Sequence, residues 1–249
     1  MVKEERFTYI LAVLNKKGKV GFDTLSKDLE VSEDTIRRDI EALHNNGLLL
    51  KVRGGAIAHA KNPINFQDRT THFSAEKQII GLKAQTLMKG ATTIFMDGGT
   101  TNCAILQNLP ANAKFRLITN NLALLPIISR LKDIELIILG GTYDRKTETN
   151  TGMQVIAEVG KYLADIYFMG TCALQKDFGI TTALQQDGEI KQQMLKHTTK
   201  TYAIGNSAKL NLTEFYRVCE LQDLEGLITD LPADNEALDP YRNNGLLIV

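Results

Sequence analysis

The chain has 249 residues, and its 29 Lys and Arg are balanced by 29 Asp and Glu, so it is not a polycation that would coat nucleic acid or an anionic membrane by charge alone. Cys103, Cys172 and Cys219 are odd in number and lack metal-type spacing, and the four histidines are scattered singly, which speaks against a disulfide framework and a structural zinc. No apolar run approaches the roughly 18 residues of a membrane span, and Lys3-Glu4-Glu5-Arg6 does not open a signal peptide, so a cytoplasmic protein without metal or cofactor is expected.

The first recognisable unit runs from Val20 to Ala56. Val20, Leu25 and Leu29 fit the buried side of a short amphipathic helix, and Glu30-Val31 is as tight a turn as a helix-turn-helix requires. Ser32 is an N-cap candidate, and the carboxylates of Glu33 and Asp34 suit the positive end of the helix that follows. Ile36, Ile40 and Leu43 recur at i, i+4 and i+7 as one buried stripe, with Gly47 as the left-handed residue that ends the helix. Arg37 and Arg38 then face outward. Leu48 to Arg53 reads as a strand that turns at Gly54-Gly55 and forms a basic wing. In such a unit the second helix enters the major groove, so Ser32, Thr35, Arg37 and Arg38 are candidates for base edges and Lys51 and Arg53 for phosphates. Residues 1–57 carry ten Lys and Arg against nine Asp and Glu, so DNA affinity has to come from placement, and it weakens as salt rises.

Ala58 to Phe73, with Pro63 and no sustained apolar period, reads as a linker. From Ser74 onward helical stretches alternate with short apolar strands, the arrangement of a mainly parallel sheet covered by helices. Strands are predicted at Thr93–Met96, Phe115–Ile118, Ile134–Leu139, Ile166–Met169, Tyr202–Ile204, Gly226–Ile228 and Leu246–Val249. Helices are predicted at Ala75–Met88, Asn102–Leu109, Leu122–Leu131 and Met153–Leu163. Open α/β sheets bind ligands at the carboxyl ends of their strands, and the polar loops of this chain fall there. Asp97-Gly98-Gly99-Thr100-Thr101 leads into a helix N-terminus and suits a phosphate, Thr119-Asn120-Asn121, Gly140-Gly141-Thr142 and Gly170-Thr171 follow other strands, and Lys209 adds a cation.

Arg6 with Ile10-Leu11, Gly18, Leu25, Val31-Ser32, Thr35-Ile36-Arg37-Arg38-Asp39, Leu43, Gly47-Leu48 and Gly54-Gly55-Ala56 together resemble the N-terminal domain of the deoxyribose-operon-repressor (DeoR) family of bacterial transcription regulators. Glu76-Lys77, Asp97 with Gly99-Thr100-Thr101, Thr119-Asn120, Gly140-Gly141, Thr151-Gly152, Asp165, Gly170, Gly179-Ile180-Thr181, Glu189 with Lys191, Lys209 and Ile228-Thr229-Asp230 resemble its C-terminal sensor domain. The resemblance implies a domain of the ribose-phosphate-isomerase and CoA-transferase-like fold that binds a phosphorylated sugar or related metabolite and changes DNA affinity. Carried over position by position, it puts Asp97, Gly99, Thr100, Thr101, Thr119, Asn120, Gly140, Gly141, Gly152, Glu189, Lys191 and Lys209 around the effector, with Gly98 in the same loop. This chain departs from the family pattern in four places. Lys51 and Arg53 stand where Arg and His are usual, Gly98 where Ser is common, and Asn206 where Asp is usual, which removes a negative charge near the pocket.

The expectation is an α/β protein with a winged helix-turn-helix over 1–57, a linker over 58–73 and an effector-sensing α/β domain over 74–249. Its function is then that of a sequence-specific DNA-binding regulator, a repressor of a sugar-metabolism operon, acting on a two-half-site operator as a homodimer or homotetramer. The alternative is a sugar-phosphate isomerase-like enzyme with an accessory DNA-binding domain. Its base would be Asp97, Asp187 or Glu189, and no paired catalytic signature accompanies them.

Overall fold

The computed structural model describes residues 2–45, 48–58 and 66–249. It begins with α1 (Lys3–Lys17), β1 (Lys19–Gly21), α2 (Phe22–Leu29), α3 (Glu33–Asn45), β2 (Leu49–Val52) and β3 (Gly55–Ala58). The three strands form an antiparallel sheet in the order β1-β3-β2. Ile36, Ile40 and Leu43 of α3 are fully buried against Ile10 and Leu14 of α1 and Leu25 of α2, as the i, i+4, i+7 spacing requires. Arg6 donates to the buried Asp39 carboxylate through Nε (2.6 Å) and a terminal nitrogen (3.1 Å), clamping α1 to α3. Val20 does not belong to the helix predicted for it. It sits in β1 opposite Ala56, and α2 starts at Phe22, whose ring takes the buried place. Gly47, predicted to end α3, lies outside the described residues.

The chain continues through α4 (Phe66–Thr71), α5 (Ser74–Leu87), β4 (Thr93–Met96), α6 (Thr100–Gln107), β5 (Arg116–Thr119), α7 (Leu125–Ile128), β6 (Glu135–Ile138), β7 (Thr142–Asp144), β8 (Thr149–Thr151), α8 (Met153–Val159) and β9 (Ala164–Gly170). It ends with β10 (Ala173–Gln175), β11 (Gly179–Thr182), α9 (Gln185–Lys196), β12 (Thr198–Ile204), β13 (Tyr216–Cys219), β14 (Gly226–Ile228), α10 (Asp239–Arg242) and β15 (Leu247–Ile248). Seven strands in the order β15-β14-β12-β9-β4-β5-β6 make one wholly parallel sheet. Each face carries its own apolar core, one built on Phe95, Tyr167 and Met169, the other on Ile94, Met96 and Phe168. That is why Thr93–Met96 and Ile166–Met169 read as unbroken apolar runs rather than alternating ones. The order reverses between β4 and β9, so the crevice where an open sheet takes its ligand opens at their carboxyl ends.

The differences from the predicted elements have local causes. The stretch read as a linker includes α4, because Phe66 buries its ring in the sheet's core and its N–H bonds the Lys146 carbonyl at 2.6 Å; residues 59–65 are outside the description. The helix predicted over Leu122–Leu131 is a 3-10 turn, Leu122–Leu124, followed by the short α7, since Pro126 has no N–H for the Leu122 carbonyl. The helix predicted to reach Leu163 stops at Val159, before Gly160. β9 and β12 start earlier than predicted because they pair with each other from Ala164 and Thr198, where polar residues sit at the open edge. The β7-β8 hairpin and the small antiparallel sheet β10-β11-β13 were not anticipated.

Two glycines at the wing do different work. Gly54 turns β2 into β3 at φ 87° with open space where a Cβ would project, whereas a Cβ on Gly55 would stand 2.0 Å from the Val20 carbonyl oxygen. Gly54→Ala is expected to cost about 1 to 2 kcal/mol for its left-handed backbone, and Gly55→Ala about 3 kcal/mol because strand β1 must move. Urea unfolding of the two variants checks this order, and equal midpoints would refute the close approach.

Candidate functional site

Two surfaces carry the residues singled out by the sequence. On the first, Ser32 caps α3: its hydroxyl accepts the Thr35 N–H at 3.2 Å and lies 2.9 Å from the Thr35 hydroxyl. The cap fixes the start of α3, and Arg37 and Arg38 stand exposed one turn further on. They are not equivalent. Arg37 pairs with Glu33 at 3.2 Å and lies over the Phe22 ring, 4.4 Å from its centre, so its guanidinium is already oriented by the protein. Arg38 has no hydrogen bond or ion pair among the described residues, and its fork is available for a bidentate contact with a base edge or a phosphate. Lys51 of the wing is paired with Glu41 of α3, and Arg53 is exposed at the wing tip.

The second surface is a cavity of about 330 Å³ at the carboxyl ends of β4, β9 and β12. Gly98, Gly99, Thr100 and Thr101 form its floor, where α6 begins with Gly99 at φ 131°, no side-chain cap and no acidic residue in its first turn. Those N–H groups and the helix dipole face the opening. Besides Lys191 of α9, three cations share the cavity wall: Arg69 from α4, Lys77 from α5 and Lys209 from the turn after β12. Burial, with Arg69 and Lys209 nearby, pushes Lys77 down to about 8, and burial with Arg69 nearby also lowers Lys209. The Lys77 ammonium donates to the carbonyls of Arg69 and, at 2.5 Å, His72, so it holds the end of α4 against the cavity. The Arg69 Nε is buried without a partner among the described residues. Across the cavity stand Asp187, which accepts the Thr182 hydroxyl at 2.9 Å, and Glu214, whose carboxyl burial raises to about 7 against the pull of Lys209.

Gly98, Gly99, Thr100, Thr101, Lys191 and Lys209 therefore share one cavity, and the other positions carried over from the family do not line it. Asp97 is 1% exposed and faces inward: it accepts Tyr167 Oη at 2.5 Å, the Lys191 ammonium, the Gly170 N–H at 2.9 Å and the Asn102 amide at 3.0 Å. With four donors already on it, the carboxylate has no room for a ligand. Burial works against the Lys191 ammonium, but Asp187 and Asp97 beside it outweigh that and raise it above the ordinary lysine range. Thr119 and Asn120 are buried too, tying strand ends together through the Met96 carbonyl (2.5 Å) and the Asn150 carbonyl (2.9 Å). Gly140 donates its N–H to Glu158 at 2.7 Å, Gly141 lies where a Cβ would stand 2.6 Å from the Thr151 carbonyl oxygen, and Gly152 starts α8 at φ 102°. Their roles are those of the backbone. Glu189 accepts the Gln185 amide at 2.8 Å and borders a neighbouring cavity with Asp144 and Thr151. The sequence reading missed Arg69, which it left in a linker, and Glu214. Neither lies at a strand end or in a motif.

The two surfaces meet along one segment. Lys209 and Glu214 line the cavity, and between them Leu212 packs into the core of the winged unit while the Thr213 N–H donates to the Ala58 carbonyl at 3.0 Å. Asn211 takes a left-handed conformation, φ 59°, and its carbonyl oxygen stands 2.9 Å from where a Cβ on Gly18 would project. Only glycine at position 18, itself at φ 74°, lets the segment approach that closely. Lys19 and Asp177 add an ion pair across the same contact.

Residues 6–62 match the model of the DeoR-like helix-turn-helix domain and residues 72–231 that of the DeoR C terminal sensor domain. The chain belongs to the DeoR family. The HTH-type transcriptional repressor GlcR of Bacillus subtilis is 30% identical over 249 residues, covering 99% of this chain and 95% of that protein. A lactose phosphotransferase system repressor of Staphylococcus epidermidis is 27% identical over 92% of this chain and 93% of its own length. Among solved structures, ribose 5-phosphate isomerase A of Methanocaldococcus jannaschii aligns with 54% of this chain and 53% of its own, with 14% identity and a TM-score of 0.39. No helix among the described residues of this DeoR-family chain is long and apolar enough to cross a membrane.

The inward placement of Asp97 makes it separable from Glu189. Asp97→Asn takes from the buried Lys191 the nearer of its two carboxylates, leaving only Asp187 at 3.4 Å, and is expected to cost about 3 kcal/mol of stability. Glu189→Gln, on a half-exposed helical position, should stay within about 0.5 kcal/mol. Chemical denaturation distinguishes them, and a stable Asp97→Asn protein would contradict the hub described above.

Proposed function

We propose that this DeoR-family chain is a repressor whose affinity for an operator is set by a phosphorylated sugar bound in the cavity, reading two half-sites as a homodimer or homotetramer. The observation that carries the reading is the double membership of the Lys209–Glu214 segment. One end stands beside the helix N-terminus and the Arg69 guanidinium, and its middle is built into the winged unit. An anion of charge −2 is what three cations and a helix N-terminus favour, and a phosphate monoester supplies it above about pH 6. Arg69 brings a second element to the same anion, since it lies on α4. A ligand that holds Arg69 and Lys209 together acts on the root of the segment that is built into the winged unit. Such a ligand shifts DNA affinity only insofar as it binds the two arrangements unequally. The curated relatives, named as repressors and one of them for a lactose phosphotransferase system, support sugar metabolism as the setting. Of the three carboxylates that an isomerase reading would recruit, Asp97 and Glu189 do not line this cavity, and Asp187, which does, is engaged by the Thr182 hydroxyl and the Lys191 ammonium, which favours the regulator.

For DNA, Arg38 carries the greater weight because Arg37 has partners of its own. Arg38→Ala should weaken binding to the DNA upstream of its own gene by about 1 to 3 kcal/mol if it reads a base, or lower the salt slope by about one if it holds a phosphate. Fluorescence anisotropy over a salt series measures both, and an unchanged isotherm would remove Arg38 from the interface.

For regulation, the expected coupling is about 1 to 3 kcal/mol, a 5- to 150-fold change in operator affinity on saturation with the active member of a sugar-phosphate panel. Lys209→Ala should abolish the response by losing the ligand. Leu212→Ala should still bind both ligand and DNA, with the coupling reduced. Calorimetry and gel shift on the same preparations check this, and full coupling in Leu212→Ala would discard the segment as the route.

A further inference from the structure

A second cavity, of about 520 Å³, opens between the β7-β8 hairpin and the first turns of α9. It adjoins the cationic cavity, since Thr147, Thr149, Leu184 and Asp187 line both. At one point the partition is a single side chain. Thr149 Cγ2 stands 2.6 Å from where a Cβ on Gly98 would project, so the glycine in the floor of the cationic cavity lies against a threonine that also faces the second one. From there a hydrogen-bonded chain runs away from the floor, with 2.7 Å between the Thr149 and Thr147 hydroxyls and 3.1 Å from Thr147 to the Asp144 carboxylate.

Most protons along this wall are already committed. Thr147 donates to Asp144, so the bond between the two threonines takes its proton from Thr149, and Thr151 donates to the Thr142 carbonyl at 3.2 Å. The Gln185 amide donates to Glu189 at 2.8 Å, which leaves its second proton and the Gln186 amide as the side-chain donors among the described residues of the wall. Acceptors prevail: Asp144, Asp187 and Glu189 bring three carboxylates, and no lysine or arginine stands among the described residues that line the cavity. The N-terminus of α9 adds about half an elementary charge of positive sign, which does not offset them. Nor do these carboxylates gather into a group that could hold a metal ion among the described residues. A neutral hydroxyl suits such a wall because it brings a proton to the acceptors, whereas a carboxylate or a second phosphate meets like charge. We propose that the second cavity takes the hydroxyl-bearing end of the effector and rejects an anionic one. The effector is then a monophosphate of a sugar or polyol, with its phosphate against α6 and its far end, uncharged, between the hairpin and α9. The inference rests on the reading of the cationic cavity as the phosphate site.

Calorimetry on the full-length protein with sn-glycerol 3-phosphate, D-glucitol 6-phosphate and 6-phosphogluconate tests the two layers separately. The last two share their chain and differ at C1, a hydroxymethyl group in one and a carboxylate in the other. Wild type should bind glucitol 6-phosphate about tenfold more tightly than 6-phosphogluconate, whose carboxylate is repelled, and more tightly than glycerol 3-phosphate, which brings fewer hydroxyls. Glu189→Gln should narrow the ratio between the two six-carbon probes, and Glu189→Lys, which puts an ammonium at a half-exposed helical position, should abolish it. Lys209→Ala should lose all three probes. If none binds wild type, or one survives Lys209→Ala, the phosphate site is overturned and this inference with it. With the phosphate site intact, a wild type that binds 6-phosphogluconate or glycerol 3-phosphate as tightly as glucitol 6-phosphate, or a Glu189→Lys protein that keeps the tenfold ratio, refutes the second cavity as the subsite for the far end.

Discussion

The buried Asp97 carboxylate is the interaction on which the rest of the cavity depends. It sits where the parallel sheet reverses its order, and its donors come from β9, α6 and α9, so one side chain joins the elements that carry both walls and the floor. A charge in that place is tolerated only because Lys191 and three neutral donors accompany it. The arrangement also uses up Lys191, which reaches the cavity wall but is committed to Asp97 and Asp187. Positive charge for a ligand comes instead from Arg69, Lys77 and Lys209, cations with no carboxylate partner within ion-pair distance among the described residues. The site is thus divided into a structural ion pair and a separate cationic face.

How far the sequence could be read follows the same division. The winged unit was legible almost throughout, because its signals are local: a cap at Ser32, the stripe Ile36, Ile40, Leu43 and the glycines of the wing turn. Val20 was misassigned since three apolar residues at helical spacing fit a strand followed by a helix equally well. The central strands were legible as apolar runs, and the edge of the sheet where chemistry gathers followed from their order. What could not be read was direction. Asp97, Thr119 and Asn120 have the right chemistry at the right edge, yet their side chains turn inward to tie strand ends. Arg69 and Glu214 reach the cavity only through tertiary placement, from a stretch without periodicity and from the irregular segment before β13.

Short antiparallel elements were invisible for a related reason. β10, β11 and β13 are three or four residues long; β10 and β11 are buried throughout and β13 only in its second half, so none of them carries an alternation of apolar and polar residues. Yet they matter for the site. Thr181 of β11 accepts the Glu214 N–H through its hydroxyl at 2.8 Å, and Leu174 of β10 bridges to Leu210, so this small sheet holds both ends of the segment that runs from the cavity to the winged unit.

That segment explains how two units of such different size can act as one. Its middle is rigid where it meets the winged unit: Asn211 is held in a left-handed conformation, its N–H bonds the Tyr241 hydroxyl at 2.9 Å, and the Thr213 N–H completes a chain through Ala58 to Gly18. Packed interiors do not deform smoothly, so a displacement at Lys209 cannot be absorbed between Lys209 and Leu212, a distance of three residues. On the proposed reading it is passed on to the winged unit as a body. Arg38 and Arg53 are exposed on that unit, and under the proposed reading of two half-sites the angle at which each copy presents them decides the fit to DNA. On the proposed reading, a shift too small to alter any contact within the winged fold would be enough to bring two recognition helices into or out of register, so a ligand would need to touch the segment only at its root.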